Sequence, residues 1–304
     1  MNGNLNGREG RKGKNWQKRG KKKRDSKEVK IGVKDNFIPL SLKESLKVYR
    51  EWGIRGIELS LNTEEFRPDA LSQSGRRELR EKVHTCGLEI CALGYNLGGD
   101  WYLSTLAMEK KIEEIIQAIK LGKDLFVSVI ALTDDGRVGI GEENKTLLLK
   151  FFEEIGYLGD REGMILGLDI SASSPLELHQ FIKELKRESM KLIFNPARWK
   201  VICTQSPGEI IHLWKDSLVH VYIIDGDIKE KSLEGNKNED RVNSWKLFFE
   251  EKTLGEGKLE VGKLVEELAE INYRGFCVLM TLQEDLSLEE ARKRIEFFKK
   301  VRRL

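Results

Sequence analysis

The feature that most constrains this sequence is a hydrophobic period that switches repeatedly, from Val29 onward, between short apolar runs and longer amphipathic stretches. A run that is apolar at consecutive positions is buried on both faces, as in a parallel sheet. A stretch with apolar residues every three to four positions is a helix laid over it. The predicted strands are Val29–Val33, Gly56–Leu59, Leu88–Leu93, Leu125–Ile130, Met164–Asp169, Lys191–Phe194, Leu218–Ile224 and Phe276–Met280. The helices between them carry their own punctuation. Ser41 with Glu44 three residues on forms a capping box, Pro175 opens a first turn, and Gly53, Gly87 and Gly122 fall where helices should stop. Further helices are predicted near Pro68–Cys86, Ser104–Leu121, Glu142–Leu158, Gly208–Trp214, Val261–Ile271 and Ser287–Val301. A long polar excursion separates strands seven and eight. Eight such units close naturally into an α/β fold, a (β/α)8 TIM barrel that leaves no strand edge exposed. An open doubly wound sheet would announce itself with a Gly-rich phosphate turn after strand one, and Gly32-Val-Lys-Asp-Asn36 is not one.

Composition fits that frame. Barrels use about 250 residues as one domain, and the 304-residue chain leaves room for a tail. We read residues 1–28 as a basic disordered tail and 29–304 as the barrel. Through Lys30 the chain carries 12 Lys/Arg against three Asp/Glu, a surplus larger than the +3 of the whole chain, so the remainder is net acidic. The tail has too few apolar residues to bury a core. Its basic run, residues 8–24, either solubilises the protein or touches nucleic-acid phosphates. The lack of interleaved aromatics at Lys21–Arg24 favours the former. With 34% charged residues, a mean hydropathy of −0.45, no apolar run of membrane-spanning length and no secretory h-region, the expected location is cytoplasmic, with no membrane partner. Cys86, Cys91, Cys203 and Cys277 form no metal-type spacing and are expected to be reduced thiols.

In such barrels chemistry sits at the carboxyl ends of the strands. Asp169 ends an otherwise apolar strand, where a carboxylate is costly unless it meets a cation or donors. It is the leading catalytic candidate, with capping of Ser171 or Ser173 as the alternative. Glu58 sits in the same kind of place and is either an acid/base group or half of a buried ion pair. Asp225-Gly-Asp227 is expected to be a turn rather than a calcium loop, since no further oxygen ligands follow at regular spacing. His84, His179 and His212 fall in helices, and His220 alternates with valines in strand seven. A histidine-built metal cluster is therefore not expected.

Val29-Lys-Ile-Gly-Val33, Glu51-Trp-Gly-Ile-Arg-Gly-Ile-Glu-Leu59 and Cys86-Gly-Leu-Glu-Ile90 resemble the opening units of xylose-isomerase-like sugar isomerases and epimerases. Leu254-Gly-Glu-Gly257 and Tyr273-Arg-Gly275 resemble that family's late loop and final strand entry. The resemblance implies a divalent metal (Mn, Mg or Zn) held at the mouth by a Glu, an Asp, a His and a Glu after strands five to eight, with two carboxylates moving a proton. Carried over, those positions fall on Asp169, Asn195, Tyr222 and Met280, and Arg198 stands where a substrate-binding His is common. Of the strand-seven motif only Asp225 survives. The implied site thus has Asp169 and Glu58 as catalytic residues and Asn195, Arg198, Tyr222, Asp225 and Glu256 as substrate-binding ones. Asp169 is the only metal ligand, should a metal bind, because an amide, a phenol and a thioether are poor partners for hard cations.

Two functions are compatible with this set. One is an isomerase or epimerase acting on a small sugar or sugar phosphate with an atypical or metal-free site. The other is a family member without catalysis that binds or regulates, with nucleic-acid contact through the tail as one variant and a homodimer as a possible assembly. A related abasic-site endonuclease would need many histidines at strand ends, and the sequence does not supply them.

Overall fold

The computed structural model describes residues 29–99, 101–102, 104–135, 140–229 and 245–302; the predicted tail lies outside them. Along the chain the strands are β1 (Lys30–Lys34), β2 (Gly56–Ser60), β3 (Glu89–Asn96), β4 (Val129–Thr133), β5 (Ile165–Asp169), β6 (Met190–Phe194), β7 (Leu218–Ile223), β8 (Asp225–Ile228), β9 (Phe249–Lys252) and β10 (Phe276–Leu279). The helices are α1 (Leu42–Glu51), α2 (Gln73–Thr85), α3 (Thr105–Leu125), α4 (Glu142–Glu162), α5 (Pro175–Leu185), α6 (Pro196–Ile202), α7 (Pro207–Trp214), α8 (Trp245–Phe248), α9 (Val261–Glu270) and α10 (Leu288–Val301). Strands β1 to β7 and β10 form a closed barrel in the order β1-β10-β7-β6-β5-β4-β3-β2, all neighbours parallel. The eight-unit barrel is the architecture expected from the hydrophobic period. β8 and β9 pair antiparallel outside it.

Local signals explain most boundaries. The capping box at Ser41 and Glu44 is present, Ser174 caps α5 ahead of Pro175, and Gly87 takes φ +76° just past α2. Strand four is displaced from its predicted place. α3 continues through Leu125 and ends on left-handed Phe126, so β4 begins at Val129. The reason is packing. Gly122 is not a helix stop but the point where α3 lies against the barrel, and a Cβ there would stand 2.7 Å from the Met164 methyl carbon Cε. Pro68–Leu71 precede α2 rather than belonging to it, because Ser72 is the cap that starts the helix. α6 was not predicted, although Asn195 caps it and Pro196 fills its first position.

Alternation along the strands divides two apolar sets. Leu166, Leu168, Leu192, Phe194, Val221 and Ile223 join the large core between barrel and helices, while Ala131, Ile193, Tyr222, Phe276 and Val278 belong to a second cluster in the barrel interior. The interior is filled by alternating large residues with glycine. Ile193 occupies the room that a side chain on Gly167 would need, at 2.8 Å, and Glu58 does the same opposite Gly94, at 2.7 Å. The excursion after β7 closes on the same cluster through Ile224, Trp245, Phe248 and Phe249. The Asp225-Gly-Asp227 segment, expected as a turn, is the start of β8. Both carboxylates hold backbone: Asp225 accepts from the N–H groups of Gly226, Gly255, Gly257 and Leu259, and Asp227 from that of Lys258.

Candidate functional site

Inward-facing residues at the carboxyl ends of the strands form two linked charge clusters. The first centres on Glu58 of β2, which is fully buried. Its Oε1 lies 3.3 Å from Lys34 Nζ and accepts a 3.0 Å hydrogen bond from the Tyr222 hydroxyl, while Oε2 lies 2.8 Å from His220 Nε2. The Lys34 ammonium also stands 4.8 Å above the Tyr222 ring. Burial alone would raise the Glu58 carboxyl, but Lys34, His220 and Tyr222 outweigh it and hold the group down at about 2. Tyr222 moves the other way. Burial and the Glu58 charge push its phenol well above the usual value, so it stays protonated and donates to Glu58.

The second cluster centres on Arg198, which α6 points inward and which is 1% exposed. Its Nε meets Asp169 Oδ1 at 2.9 Å, and both terminal nitrogens reach Asp134 Oδ1 at 2.9 Å. Ser171 Oγ and the Asp134 carbonyl take further bonds from the same guanidinium. Asn195 donates its amide to Asp169 Oδ2 at 2.9 Å. Trp245 packs over the guanidinium at 5.8 Å. Burial pushes the Asp169 carboxyl above its ordinary value, against the pull of Arg198 and Asn195.

The structure therefore brings Asp169, Asn195 and Arg198 together in one cluster and Glu58 and Tyr222 in the other. Asp225 is buried at the base of β8 with its oxygens on backbone N–H groups, and Glu256 lies on the exposed turn that Asp225 holds, near enough for its charge to act on Lys293 of α10. The Ser171 N–H and hydroxyl, the alternative partners for Asp169, bond Asp134. Asp134 and Lys34 were recognisable only as strand-end residues. Nothing in the local sequence marks Asp134 as the partner of Arg198, 64 positions away.

The donor set does not fit the metal that the resemblance implies. Both oxygens of Asp169 are engaged by Arg198 and Asn195, the Tyr222 phenol is directed at Glu58, and Met280 offers a thioether. Among the described residues, the group of three potential ligands within 4.8 Å of one another is His212, Glu267 and Glu270, on outer helices.

The acid limb of stability reports on Glu58. Its folded value lies below the ordinary 4.5, so the stabilisation is complete above pH 4.5 and is lost as pH falls towards 2. A shift of this size corresponds to about 3 kcal/mol. We expect urea unfolding to show Glu58→Gln less stable than wild type at neutral pH, with the gap narrowing by about that amount between pH 5 and 2. A gap constant over this range would show that Glu58 is not held ionised.

The model of the xylose isomerase-like TIM barrel family matches residues 46–301. No curated protein matches the sequence. Among solved structures, the chain is similar to a xylose isomerase domain protein from Planctomyces limnophilus, with a TM-score of 0.70 at 16% identity over 91% of this chain and 97% of that one. It is also similar to D-psicose 3-epimerase with D-tagatose from Clostridium cellulolyticum H10, with a TM-score of 0.70 at 15% identity over 90% and 99%. A third is a xylose isomerase-like TIM barrel protein from Mycobacterium smegmatis in complex with magnesium, with a TM-score of 0.67 at 15% identity over 90% and 96%. At such identities structural likeness shows the fold, while the match over residues 46–301 places the sequence: the chain belongs to the xylose isomerase-like TIM barrel family.

Proposed function

We propose that this protein is a metal-independent member of its family, which binds a small sugar or sugar phosphate at the barrel mouth without metal-assisted isomerisation. The observation that carries this reading is the Arg198 guanidinium bridging Asp134 and Asp169, both at 2.9 Å. A guanidinium neutralises carboxylates as a divalent ion would, but it is tethered and offers no open position to a substrate oxygen. Of the basic groups in the two clusters, Lys34 is the partly exposed one, with a side chain 21% exposed against 1% for Arg198 and His220. It would meet a phosphate or hydroxyl of the ligand, while Asp169, Asn195, Arg198, Glu58 and Tyr222 form the floor beneath. The sugar is inferred from the family and from the liganded neighbour D-psicose 3-epimerase with D-tagatose.

Metal analysis and thermal unfolding test this. A metal supplied at 100 times its Kd would stabilise the fold by about 2.7 kcal/mol. We expect purified protein to carry far less than one equivalent of Mn, Mg or Zn, and its Tm to be unmoved by these ions or by EDTA. A shift that persists in His212→Ala, which disables the surface group, would overturn the proposal. A second reading, a metal-free isomerase using Asp169 and Glu58, draws support from the upward push on the Asp169 carboxyl, the direction a general acid needs. Turnover of a ketose or aldose phosphate that is lost in Asp169→Asn would establish it.

A further inference from the structure

The polar groups at the barrel mouth are covered. Glu58, Asp134, Asp169, Asn195, Arg198 and Tyr222 are each at most 3% exposed. A ligand that touches them needs surface that this state does not present. Part of the cover comes from the excursion after β7, whose Ile224, Trp245, Phe248 and Phe249 share one apolar cluster with Ile193 and Tyr222 of the barrel interior. Trp245 lies over the charges themselves. Its ring stands 5.8 Å from the Arg198 guanidinium carbon, and α8 lies against α6, the helix that carries Arg198.

The excursion is pinned on either side of this turn and loosely held at it. Asp225 fixes the start of β8 on backbone N–H groups. Glu251 fixes β9: it accepts from the Thr281 hydroxyl and the Leu282 N–H and pairs with the buried Arg294 of α10. The β8–β9 ladder ends at Ile228 and Phe249, and the Lys229 N–H donates to the Phe248 carbonyl at 3.0 Å. Trp245 lies three residues before Phe248, at the start of the single turn α8. Its indole N–H is buried with no hydrogen-bond partner among the described residues. A buried donor without an acceptor disfavours the seated position, so packing and the guanidinium face hold the ring in place. Leu247 on the same turn is 69% exposed and adds nothing to the seat.

We propose that Trp245 is a built-in plug: it occupies the space over Arg198 that a ligand takes, and α8 swings outward on its junction with β9 to admit one. The identity of the ligand rests on the sugar reading above, whereas the movement of the turn does not. With Asp225 and Glu251 keeping β8 and β9 in place, opening exposes Arg198 and its carboxylates without disturbing the barrel. A ligand binds only the open fraction of molecules, so the plug lowers its apparent affinity by that fraction.

Two measurements on the full chain test this. In the first, phenylglyoxal labels guanidinium groups and peptide mass spectrometry reads the rate at Arg198, with Arg294, 2% exposed and remote from Trp245 in sequence, as the internal control. We expect Arg198 to react at least about tenfold faster in Trp245→Ala than in wild type, with Arg294 unchanged. Trp245→Phe, a milder change that keeps a ring, should fall between, and Leu247→Ala should behave as wild type. An Arg198 as protected in both Trp245 variants as in wild type overturns the plug. So does equal acceleration at Arg294, which would mean that the fold has loosened as a whole. In the second, D-tagatose, present in the D-psicose 3-epimerase structure, is titrated calorimetrically. Trp245→Ala should bind it at least about tenfold more tightly than wild type. Equal or weaker binding in Trp245→Ala overturns the plug, because the ring would then be no obstacle or a ligand contact. An Arg198 that opens in Trp245→Ala while neither protein binds the sugar would sink the sugar reading and leave the plug standing.

Discussion

Replacing Arg198 by methionine is expected to destabilise the protein by about 3–5 kcal/mol, the usual consequence of leaving buried charge uncompensated. The guanidinium is 1% exposed and is the cation that directly contacts Asp134 and Asp169, which are 2% and 3% exposed. Methionine fills a similar volume, so the loss reports charge rather than a cavity. The control is Arg198→Met combined with Asp134→Asn and Asp169→Asn, which removes all three charges and should recover a large part of the loss. Lysine should do poorly, because one ammonium cannot reproduce the fork that serves two carboxylates from different strands. Urea unfolding at pH 7 measures all four proteins. A loss under about 1 kcal/mol for the single variant would mean that water reaches these carboxylates and would sink the buried-network account.

That network shows why the fold was readable in the sequence and the site only in part. Each β/α unit is signalled locally, by an apolar run of four to six residues, a cap such as Ser41 or Ser174, and a stop such as Gly87. The register that closes the barrel then follows from burying every strand on both faces. Where the reading of strand four failed, the deciding contact was distant, since Gly122 keeps α3 going by fitting against Met164. The site is made almost wholly of such contacts. Tyr222 meets Glu58 across 164 positions and Arg198 meets Asp134 across 64. The sequence marks Asp169 and Glu58 as carboxylates that need partners, and it cannot say whether the partner is a metal, a lysine or an arginine. Only the closed barrel puts Lys34, His220 and Arg198 within 3.3 Å of them.

The excursion after β7 rests on a contact of the same kind, and Asp225→Ala is expected to release it. Asp225 Oδ2 accepts from Gly255 N–H at 2.8 Å and Gly257 N–H at 3.2 Å, and Oδ1 from Leu259 N–H at 3.0 Å. Hydrogen bonds to a charged group contribute about 1.5–3 kcal/mol each, but these three share one carboxylate and are lost together. A combined loss of about 3 kcal/mol is a reasonable expectation, equivalent to about a hundredfold faster exchange at those amides if they open locally. Asp225→Asn retains one carbonyl oxygen and should give a smaller effect. Hydrogen exchange resolves the outcome by position. Gly255, Gly257 and Leu259 should lose protection in Asp225→Ala while amides of β3 and β4, on the far side of the barrel, keep theirs. Uniform loss across the barrel would mean that Asp225 supports the whole fold. Unchanged protection at the three amides would mean that the loop stands without it, and a direct role for Asp225 in ligand binding would then become the better account of its place at the end of strand seven.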